Sequence, residues 1–176
     1  MRRNKIPNKS KRIVEVVSHD PNWQQNFKEE ANKIKKALKD IFVNIYHIGS
    51  TAIPTIKAKP IIDIMVEVKD INEVDRYNKQ MEKSGYVALG EYGITKRRFF
   101  QKVGRRRTHH VHIFEEGSPQ IKKHINFRDY LIAHPKIAKE YSRLKEKLAK
   151  KYQYDINKYQ KGKDSFIKRI DKSLEN

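Results

Sequence analysis

The residues best suited to chemistry lie between His47 and Val68 of this 176-residue chain. One apolar run ends at Gly49-Ser50-Thr51, and Asp63 stands inside the next apolar run. A Gly-Ser turn offers backbone N–H groups and hydroxyls to a phosphate, and a neighbouring carboxylate can hold the divalent cation that a phosphate carries. The sequence therefore predicts a site for a phosphate and its metal, provided that the turn and Asp63 face one another.

Asp63 is a charged residue among apolar neighbours. On a strand, Asp63, Met65 and Glu67 share one face. Asp63 and Glu67 are then about 13 Å apart, too far to hold one ion together, so we expect Glu67 to be exposed at the strand end. A buried carboxylate needs a partner. That partner is either a metal ion or a cation, such as Lys59 or an arginine of residues 97–107.

The segment Thr108-His109-His110-Val111-His112 supplies a second candidate group. On a strand, His110 and His112 share a face about 6.6 Å apart, and His109 faces the other way. The pair is able to bind one ion or phosphate, and it is equally able to hydrogen-bond neighbours across the sheet. Imidazole suits zinc and other borderline metals, whereas magnesium prefers oxygen ligands.

Two basic clusters, Lys96-Arg97-Arg98 and Arg105-Arg106-Arg107, lie close to these histidines in the sequence. Consecutive strand residues face opposite ways, so one arginine of the first cluster can reach a cleft and bind phosphate in bidentate fashion. We assign that role to Arg98. The second cluster is predicted to be a solvated hairpin tip.

Composition limits the classes of function. The chain has no cysteine, which excludes disulfides and thiol catalysis and fits a cytoplasmic location. No apolar run approaches the ~20 residues of a membrane helix, so no membrane partner is expected. The net charge of +19 favours nucleotides, RNA or another polyanion. The lysines are spread along the chain, however, many at solvent-facing helix positions, and a low-GC coding bias, inferred from the use of Lys, Ile and Asn, explains them without a nucleic-acid role.

The elements that must position these residues form a mixed pattern. Apolar alternation predicts strands over 13–17, 41–48, 60–68, 86–89, 97–103 and 107–114. The third of these strands is so apolar that we expect it to be central and covered on both faces. Caps and helical spacing predict helices that begin at Asp20, Asn72, Ser118, Pro135 and Asp155.

The domain prediction follows from the order of these elements. We expect one α/β domain over residues 12–176, with a mixed β-sheet in its first two thirds and a C-terminal helical layer. Residues 1–11 are polar and basic without periodicity, so we expect a disordered basic arm there.

Taken together, the segments resemble the GrpB family, small proteins of nucleotidyltransferase-like fold. The resemblance covers nearly the whole chain after the arm. It rests on Asp20-Pro21-Asn22-Trp23, His47-Ile48-Gly49-Ser50-Thr51-Ala52-Ile53-Pro54, Lys59-Pro60-Ile61-Ile62-Asp63-Ile64, Gly85-Tyr86, Arg97-Arg98-Phe99-Phe100, Thr108-His109-His110-Val111-His112, Phe127-Arg128-Asp129-Tyr130-Leu131 and Gly162-Lys163. The resemblance implies a nucleotidyltransferase-like fold. A GrpB-like segment is also appended to some dephospho-coenzyme A kinases, which indicates nucleotide or coenzyme A chemistry.

The wider nucleotidyltransferase superfamily supplies a mechanism for comparison. There a Gly-Ser turn holds a nucleoside triphosphate, and three carboxylates bind two magnesium ions. The matching residues here are Gly49, Ser50 and Asp63. Met65 stands in place of the second carboxylate, and the strand expected to carry the third has His110 and His112 instead. The resemblance thus implies a related pocket with an altered metal site.

Two classes of function follow. The first is a metal-dependent enzyme that acts on a nucleotide or other phosphate-bearing small molecule, with Asp63 and His112 as catalytic residues. Its divalent metal (Mg, Mn or Zn) would be held by Asp63, His110 and His112. Its phosphate would be held by Gly49, Ser50, Thr51, Lys59 and Arg98. The second class is a non-catalytic nucleotide- or phosphometabolite-binding module that has lost the two-metal site, as Met65 indicates. Charge-driven RNA binding is a further option without an aromatic motif to support it.

Overall fold

Strands and helices alternate in the first two thirds of the chain, and helices alone follow. The computed structural model describes residues 13–104 and 106–175, so the predicted basic arm over residues 1–11 lies outside the described residues. The strands are β1 Phe42–Ile48, β2 Ile62–Val68, β3 Tyr86–Ala88, β4 Arg98–Lys102 and β5 His109–Glu115. The α-helices are α1 Asn22–Leu38, α2 Asn78–Lys83, α3 Pro119–Ala133, α4 Pro135–Lys151, α5 Ile156–Gly162 and α6 Asp164–Leu174. Within these ranges no helix combines the length and the apolar character needed to cross a membrane.

The five strands of the described ranges form one mixed sheet in the order β1-β2-β5-β4-β3. β2 and β5 are parallel, and the other neighbouring pairs are antiparallel. The parallel register places Asp63 beside His110 and Met65 beside His112, so these four side chains share one face. The mixed α/β architecture with a helical C-terminal third is confirmed. β2 is an interior strand buried on both faces, but β5 rather than β2 is the middle strand.

The face of the sheet opposite Asp63 packs against α1 and α2. Alternate residues of β2, from Ile62 to Val68, form the apolar cluster there together with Val111 and Ile113 of β5. α1 contributes side chains at helical spacing, as predicted. Its start is fixed where the Asp20 carboxylate accepts a hydrogen bond from the Asn22 N–H at 2.9 Å.

The face that carries Asp63 is covered by the C-terminal helices. Ile121 of α3 packs against Met65 and Phe114 of the sheet. Behind it, α3, α4 and α6 form a second apolar cluster, in which the rings of Tyr141 and Phe166 stack with their centres 4.8 Å apart. The helical layer therefore covers the face of the sheet formed by β1, β2 and β5.

The loop between β1 and β2 is fastened to α4. The Lys57 N–H donates to the Ser142 hydroxyl at 3.0 Å. The buried Lys145 ammonium donates to the Lys57 carbonyl. These contacts fix the loop that connects the Gly-Ser turn to Asp63.

Several element predictions need correction. Residues 13–17 form no strand: Val17 makes an isolated bridge to Ala58, and the Val14 N–H donates to the Gln153 carbonyl at 2.7 Å. The helix expected from Asn72 is capped by Asp70 instead, and its first part, Ile71–Tyr77, is 3₁₀-helical. The helix expected from Asp155 is two helices, α5 and α6, which meet at residue 163. The break follows Gly162, which packs so closely on α4 that a Cβ there would clash with Leu148.

A buried carboxylate joins α1 to the far edge of the sheet. Glu30 of α1 is 4% exposed and accepts hydrogen bonds from the Tyr86 hydroxyl at 2.8 Å and from Lys33 at 2.7 Å. Lys102 of β4 lies 2.6 Å from the same carboxylate. Burial alone raises the pKa of Glu30, but these three donors outweigh it and lower the pKa to about 2. The network holds α1 against β3 and β4.

Replacing this carboxylate by a neutral amide tests its contribution to stability. We expect Glu30→Gln to lower the free energy of unfolding at pH 7 by roughly 3 kcal/mol, the low end for removing one partner of a buried ion pair, because both ammoniums retain access to water. Because the pKa of Glu30 in the folded protein lies below its ordinary value of 4.5, the stabilisation is full above pH 4.5 and disappears as the pH falls toward 2. Urea unfolding of both proteins across this range measures the difference. The exposed neighbour provides the control, Glu29→Gln, with an expected change within about 0.5 kcal/mol. Equal effects of the two substitutions would contradict the account.

Candidate functional site

The Gly-Ser turn and the Asp63 carboxylate are in direct proximity. Gly49 has a φ of +71°, and Ser50–Ala52 form one 3₁₀ turn in which the Ala52 N–H donates to the Gly49 carbonyl at 3.1 Å. A Cβ on Gly49 would stand 2.9 Å from Asp63 Oδ2. Glycine is thus required for two reasons: the backbone conformation, with φ +71° and ψ −172°, is essentially restricted to glycine, and the carboxylate approaches too closely for a Cβ. The two halves predicted from the sequence do face one another.

His47 supports the turn from behind. Its Nδ1 lies 3.2 Å from Gln24 Oε1, which can only accept, so Nε2 is the acceptor for the Thr51 hydroxyl at 2.9 Å. Burial lowers the pKa of His47 to about 4, consistent with a neutral ring. The Thr51 hydroxyl therefore donates its proton to His47, so Thr51 can donate to a phosphate only through its backbone N–H. Arg128 of α3 also donates to the His47 carbonyl, at 2.8 Å.

Asp63 is held by the histidine pair on β5. Its Oδ1 lies 3.1 Å from His112 Nε2 and 3.6 Å from His110 Nδ1. Burial alone raises the pKa of Asp63, but the two imidazoles outweigh it and hold the pKa well below its ordinary value. Asp63 is therefore an anion at neutral pH, with Oδ1 directed to the imidazoles and Oδ2 close to the turn.

Arg97, and not Arg98, shares the face of Asp63. β4 pairs Phe99 with His112, and Arg97 lies on the same side as Phe99 with its Nη1 3.3 Å from His112 Nδ1. Arg98 is on the opposite face, where it donates to both carboxylate oxygens of Asp75 at 2.8 and 3.0 Å. The predicted role of Arg98 in the cleft is therefore wrong, because the register of the hairpin decides which arginine faces inward.

Three lysines form a wall of the cavity that the turn also lines. Lys59, Lys145 of α4 and Lys163 at the α5–α6 junction line one cavity of about 290 Å³ with the turn and Asp63. The ammoniums of Lys59 and Lys163 lie 5.6 and 4.9 Å from the centre of the Tyr159 ring. Burial first, and then the neighbouring ammoniums, lower the pKa of Lys145 to about 7 and that of Lys163 to about 8. The cluster thus carries positive charge that an anionic ligand would stabilise.

Seven of the residues predicted from the sequence line this single cavity: Gly49, Ser50, Thr51, Lys59, Asp63, His110 and His112. Arg98 does not. Glu67, expected to be exposed, is partly buried and accepts a hydrogen bond from the Tyr46 hydroxyl at 2.7 Å. The cavity residues that the sequence reasoning did not assign to it come mainly from the helical layer: His124, Tyr141, Lys145, Tyr159 and Lys163. One signal was available, because Lys145 falls on the apolar stripe of α4 between Tyr141 and Leu148.

The donor set suits an oxygen-ligated cation. Among the described residues no three His, Asp or Glu side chains are grouped as metal ligands. Magnesium and manganese keep water and phosphate oxygens as ligands and need as few as one protein carboxylate. Asp63 Oδ2, beside the phosphate turn, fits that requirement. His110 faces Asp63 through Nδ1, and its buried Nε2 has no hydrogen-bond partner within the described ranges.

The architecture is that of the nucleotidyltransferase-like fold. The solved structure of Cid1, described through its RNA terminal uridylyl transferase activity, matches with a TM-score of 0.50 at 10% identity. The match covers 74% of this chain and 40% of the Cid1 chain. At that identity the likeness concerns the fold alone.

Sequence comparison then defines the family. The profile described as GrpB protein matches residues 13–173. UPF0157 protein YqkA of Bacillus subtilis is 49% identical over 158 residues, covering 90% of this chain and 46% of YqkA. The crystal structure of conserved protein GrpB from Enterococcus faecalis matches with a TM-score of 0.86 at 42% identity, covering 90% of this chain and 96% of that one. The chain belongs to the GrpB family.

Some relatives are longer than this chain, which spans about half the length of YqkA. A dephospho-CoA kinase from Mycolicibacterium paratuberculosis is 25% identical over 171 residues, which cover 83% of this chain and 42% of the kinase.

A pair of glycine substitutions tests the contact between turn and carboxylate. Gly49 and Gly90 both have positive φ, +71° and +60°, so alanine strains the backbone at each position, by about 1–3 kcal/mol. Only at Gly49 does the new Cβ meet Asp63; around Gly90 nothing lies within 4 Å. We expect Gly49→Ala to lower the free energy of unfolding by a further ~1 kcal/mol or more relative to Gly90→Ala, measured by urea unfolding. Equal losses would show that Asp63 does not constrain the turn.

Proposed function

We propose that the cavity binds a nucleotide or another phosphate-bearing small molecule together with a divalent metal. The phosphates lie between the Gly49–Thr51 turn and the lysine wall of Lys59, Lys145 and Lys163. The metal, magnesium or manganese, is held by Asp63 and by oxygens of the ligand. A cytoplasmic location belongs to the same proposal.

The observation that carries this proposal is the convergence of the three lysines on the turn. Two of them have lowered pKa values because burial and mutual repulsion disfavour their charge. Buried and partly buried cations that line one cavity are costly unless an anion neutralises them. A phosphate chain supplies several negative oxygens in one compact group, whereas a single carboxylate would neutralise the cluster only in part. The phosphate class of ligand therefore fits best.

Relatives support a nucleotide within this class. Cid1 poly(U) polymerase, which has the same fold at 11% identity, has been solved bound to MgATP. The similar dephospho-CoA kinase is named for an activity on a coenzyme A precursor. Nucleoside triphosphates and coenzyme A precursors are accordingly the first ligands to test.

Nucleotidyl or phosphoryl transfer is the second candidate function. The proximity of Asp63 Oδ2 to the turn favours it, because a metal bound there would polarise a phosphate oxygen. Against it stands Met65, which is fully buried in the apolar cluster with Ile48, Phe114 and Ile121. A second carboxylate-bound metal has no ligand at that position. Binding is therefore the primary proposal, and transfer would proceed with one metal.

Removing one lysine charge from the wall tests the phosphate site. We expect Lys163→Met to weaken the binding of inorganic tripolyphosphate roughly tenfold, because it removes a charged hydrogen bond worth about 1.5–3 kcal/mol. Lys147→Met removes the same charge from an exposed position of α4 and should change the affinity less than about twofold. Isothermal titration calorimetry at pH 7 measures both. Affinity should also fall as the pH rises through 7–8, because Lys145 and Lys163 then lose their protons.

Salt distinguishes this site from RNA binding driven by the net charge. A specific phosphate site retains the Lys163→Met difference at high salt, whereas diffuse attraction loses affinity with salt for all variants alike. Equal affinities of Lys163→Met and Lys147→Met for tripolyphosphate would contradict the proposed site.

The metal is tested at Asp63. We expect Mn²⁺ to strengthen tripolyphosphate binding to the native protein and to have no such effect on Asp63→Asn, because the amide lacks the charge that holds the cation. Asp75→Asn makes the same change on the opposite face of the sheet, beside Arg98, and should keep the Mn²⁺ effect. Circular dichroism confirms that each variant folds. Retention of the Mn²⁺ effect in Asp63→Asn would remove the metal from the proposal.

A further inference from the structure

Arg97 is a buried cation whose partners are all uncharged. Its residue exposure is 6%. Nε donates to the Glu91 carbonyl at 3.1 Å, and Nη2 donates to the Tyr92 carbonyl at 2.7 Å. The guanidinium carbon lies 4.7 Å from the centre of the Phe99 ring. Burying a guanidinium without a carboxylate is costly, and such arrangements are expected where the group has a specific task.

The remaining contact of Arg97 defines that task. Nη1 lies 3.3 Å from His112 Nδ1. A guanidinium has donors only, so His112 Nδ1 must be the acceptor and carries no proton. The proton of the neutral imidazole is then on Nε2, which faces Asp63 Oδ1 at 3.1 Å. The direction of both hydrogen bonds is thereby set: Arg97 donates to His112, and His112 donates to Asp63.

We propose that Arg97 is a specificity-determining residue, which fixes His112 as a hydrogen-bond donor to Asp63 and so prevents His112 from acting as a metal ligand. Both ring nitrogens of His112 are occupied, and no lone pair is left for a cation. The same hydrogen bond holds Asp63 Oδ1, which leaves Oδ2 for an ion beside the turn.

The consequence concerns the choice of metal, and here the inference rests on the proposed function. Because both ring nitrogens of His112 are hydrogen-bonded, the metal site offers a carboxylate oxygen of Asp63 and oxygens of the bound phosphate. Oxygen ligands suit magnesium and manganese. Were the Nε2 lone pair of His112 available, it would add an imidazole ligand beside Asp63, and nitrogen ligands favour zinc. Arg97 therefore excludes zinc without contacting the metal.

The tautomer is measured in the native protein without any metal. In two-bond ¹H–¹⁵N spectra of ¹⁵N-histidine-labelled protein, His112 is assigned by the loss of its signals in His112→Gln. We expect the neutral ring with its proton on Nε2. A proton on Nδ1 would overturn the proposal, and so would a doubly protonated ring at pH 7.5.

Metal binding to Arg97→Met tests the consequence. Methionine keeps the packing against Phe99 and removes the donors, which allows the His112 proton to move to Nδ1 and leaves the Nε2 lone pair beside Asp63. We expect the affinity for Zn²⁺ alone, measured by calorimetry, to rise by roughly tenfold or more, the usual scale for a residue that orients a ligand. The Mn²⁺ affinity should change by less than about threefold. Arg98→Met is the matched control, one position along β4 on the other face, and should leave both affinities unchanged.

The outcomes separate this inference from the proposed function. An unchanged Zn²⁺ affinity in a folded Arg97→Met would overturn the role of Arg97. The Nε2 proton together with no Mn²⁺ binding by the native protein would uphold that role and count against the metal of the proposed function. If Arg97→Met does not fold, the tautomer of the native protein decides alone.

Discussion

The structure depends on the placement of one carboxylate, Asp63, in a largely apolar sheet. Its negative charge requires donors on one side, and the imidazoles of His110 and His112 supply them to Oδ1. The other oxygen approaches the turn at Gly49 so closely that only glycine is tolerated there. Each neighbour of the carboxylate is held in turn by a residue behind it, Arg97 behind His112 and His47 behind the turn. The site is therefore built outward from a single, partly buried anion.

The helical layer supplies cationic side chains to the cavity. The sheet provides the anion and the turn, and α4 and the α5–α6 junction provide two of the three cations of the lysine wall. The attachment of Lys57 to Ser142 and Lys145 couples the position of this wall to the loop between turn and carboxylate. A ligand that bridges the wall and the turn would hold both layers together, so ligand binding and the stability of the helical layer should be linked.

The sheet half of the site could be predicted from the sequence because strand periodicity is local. The spacing of His110 and His112 was enough to place these two side chains on one face of their strand, whereas their meeting with Asp63 depends on the parallel register of β2 and β5. Which of Arg97 and Arg98 faces the cavity could not be predicted, because it depends on the register of β4 against β5. The helical half was missed because Lys145 and Lys163 meet the turn only through the docking of helices more than 80 residues away along the chain. The sequence did contain one indication of these lysines, because Lys145 lies on the apolar stripe of α4.

The most direct test is a crystal structure with Mn²⁺ and a non-hydrolysable ATP analogue, in which anomalous scattering locates the metal. The account predicts a manganese peak beside Asp63 Oδ2, with the phosphates between the Gly49–Thr51 turn and Lys59, Lys145 and Lys163. His112 should stay hydrogen-bonded to Asp63 and outside the metal coordination. Phosphates bound elsewhere on the basic surface, or a metal without contact to Asp63, would contradict it.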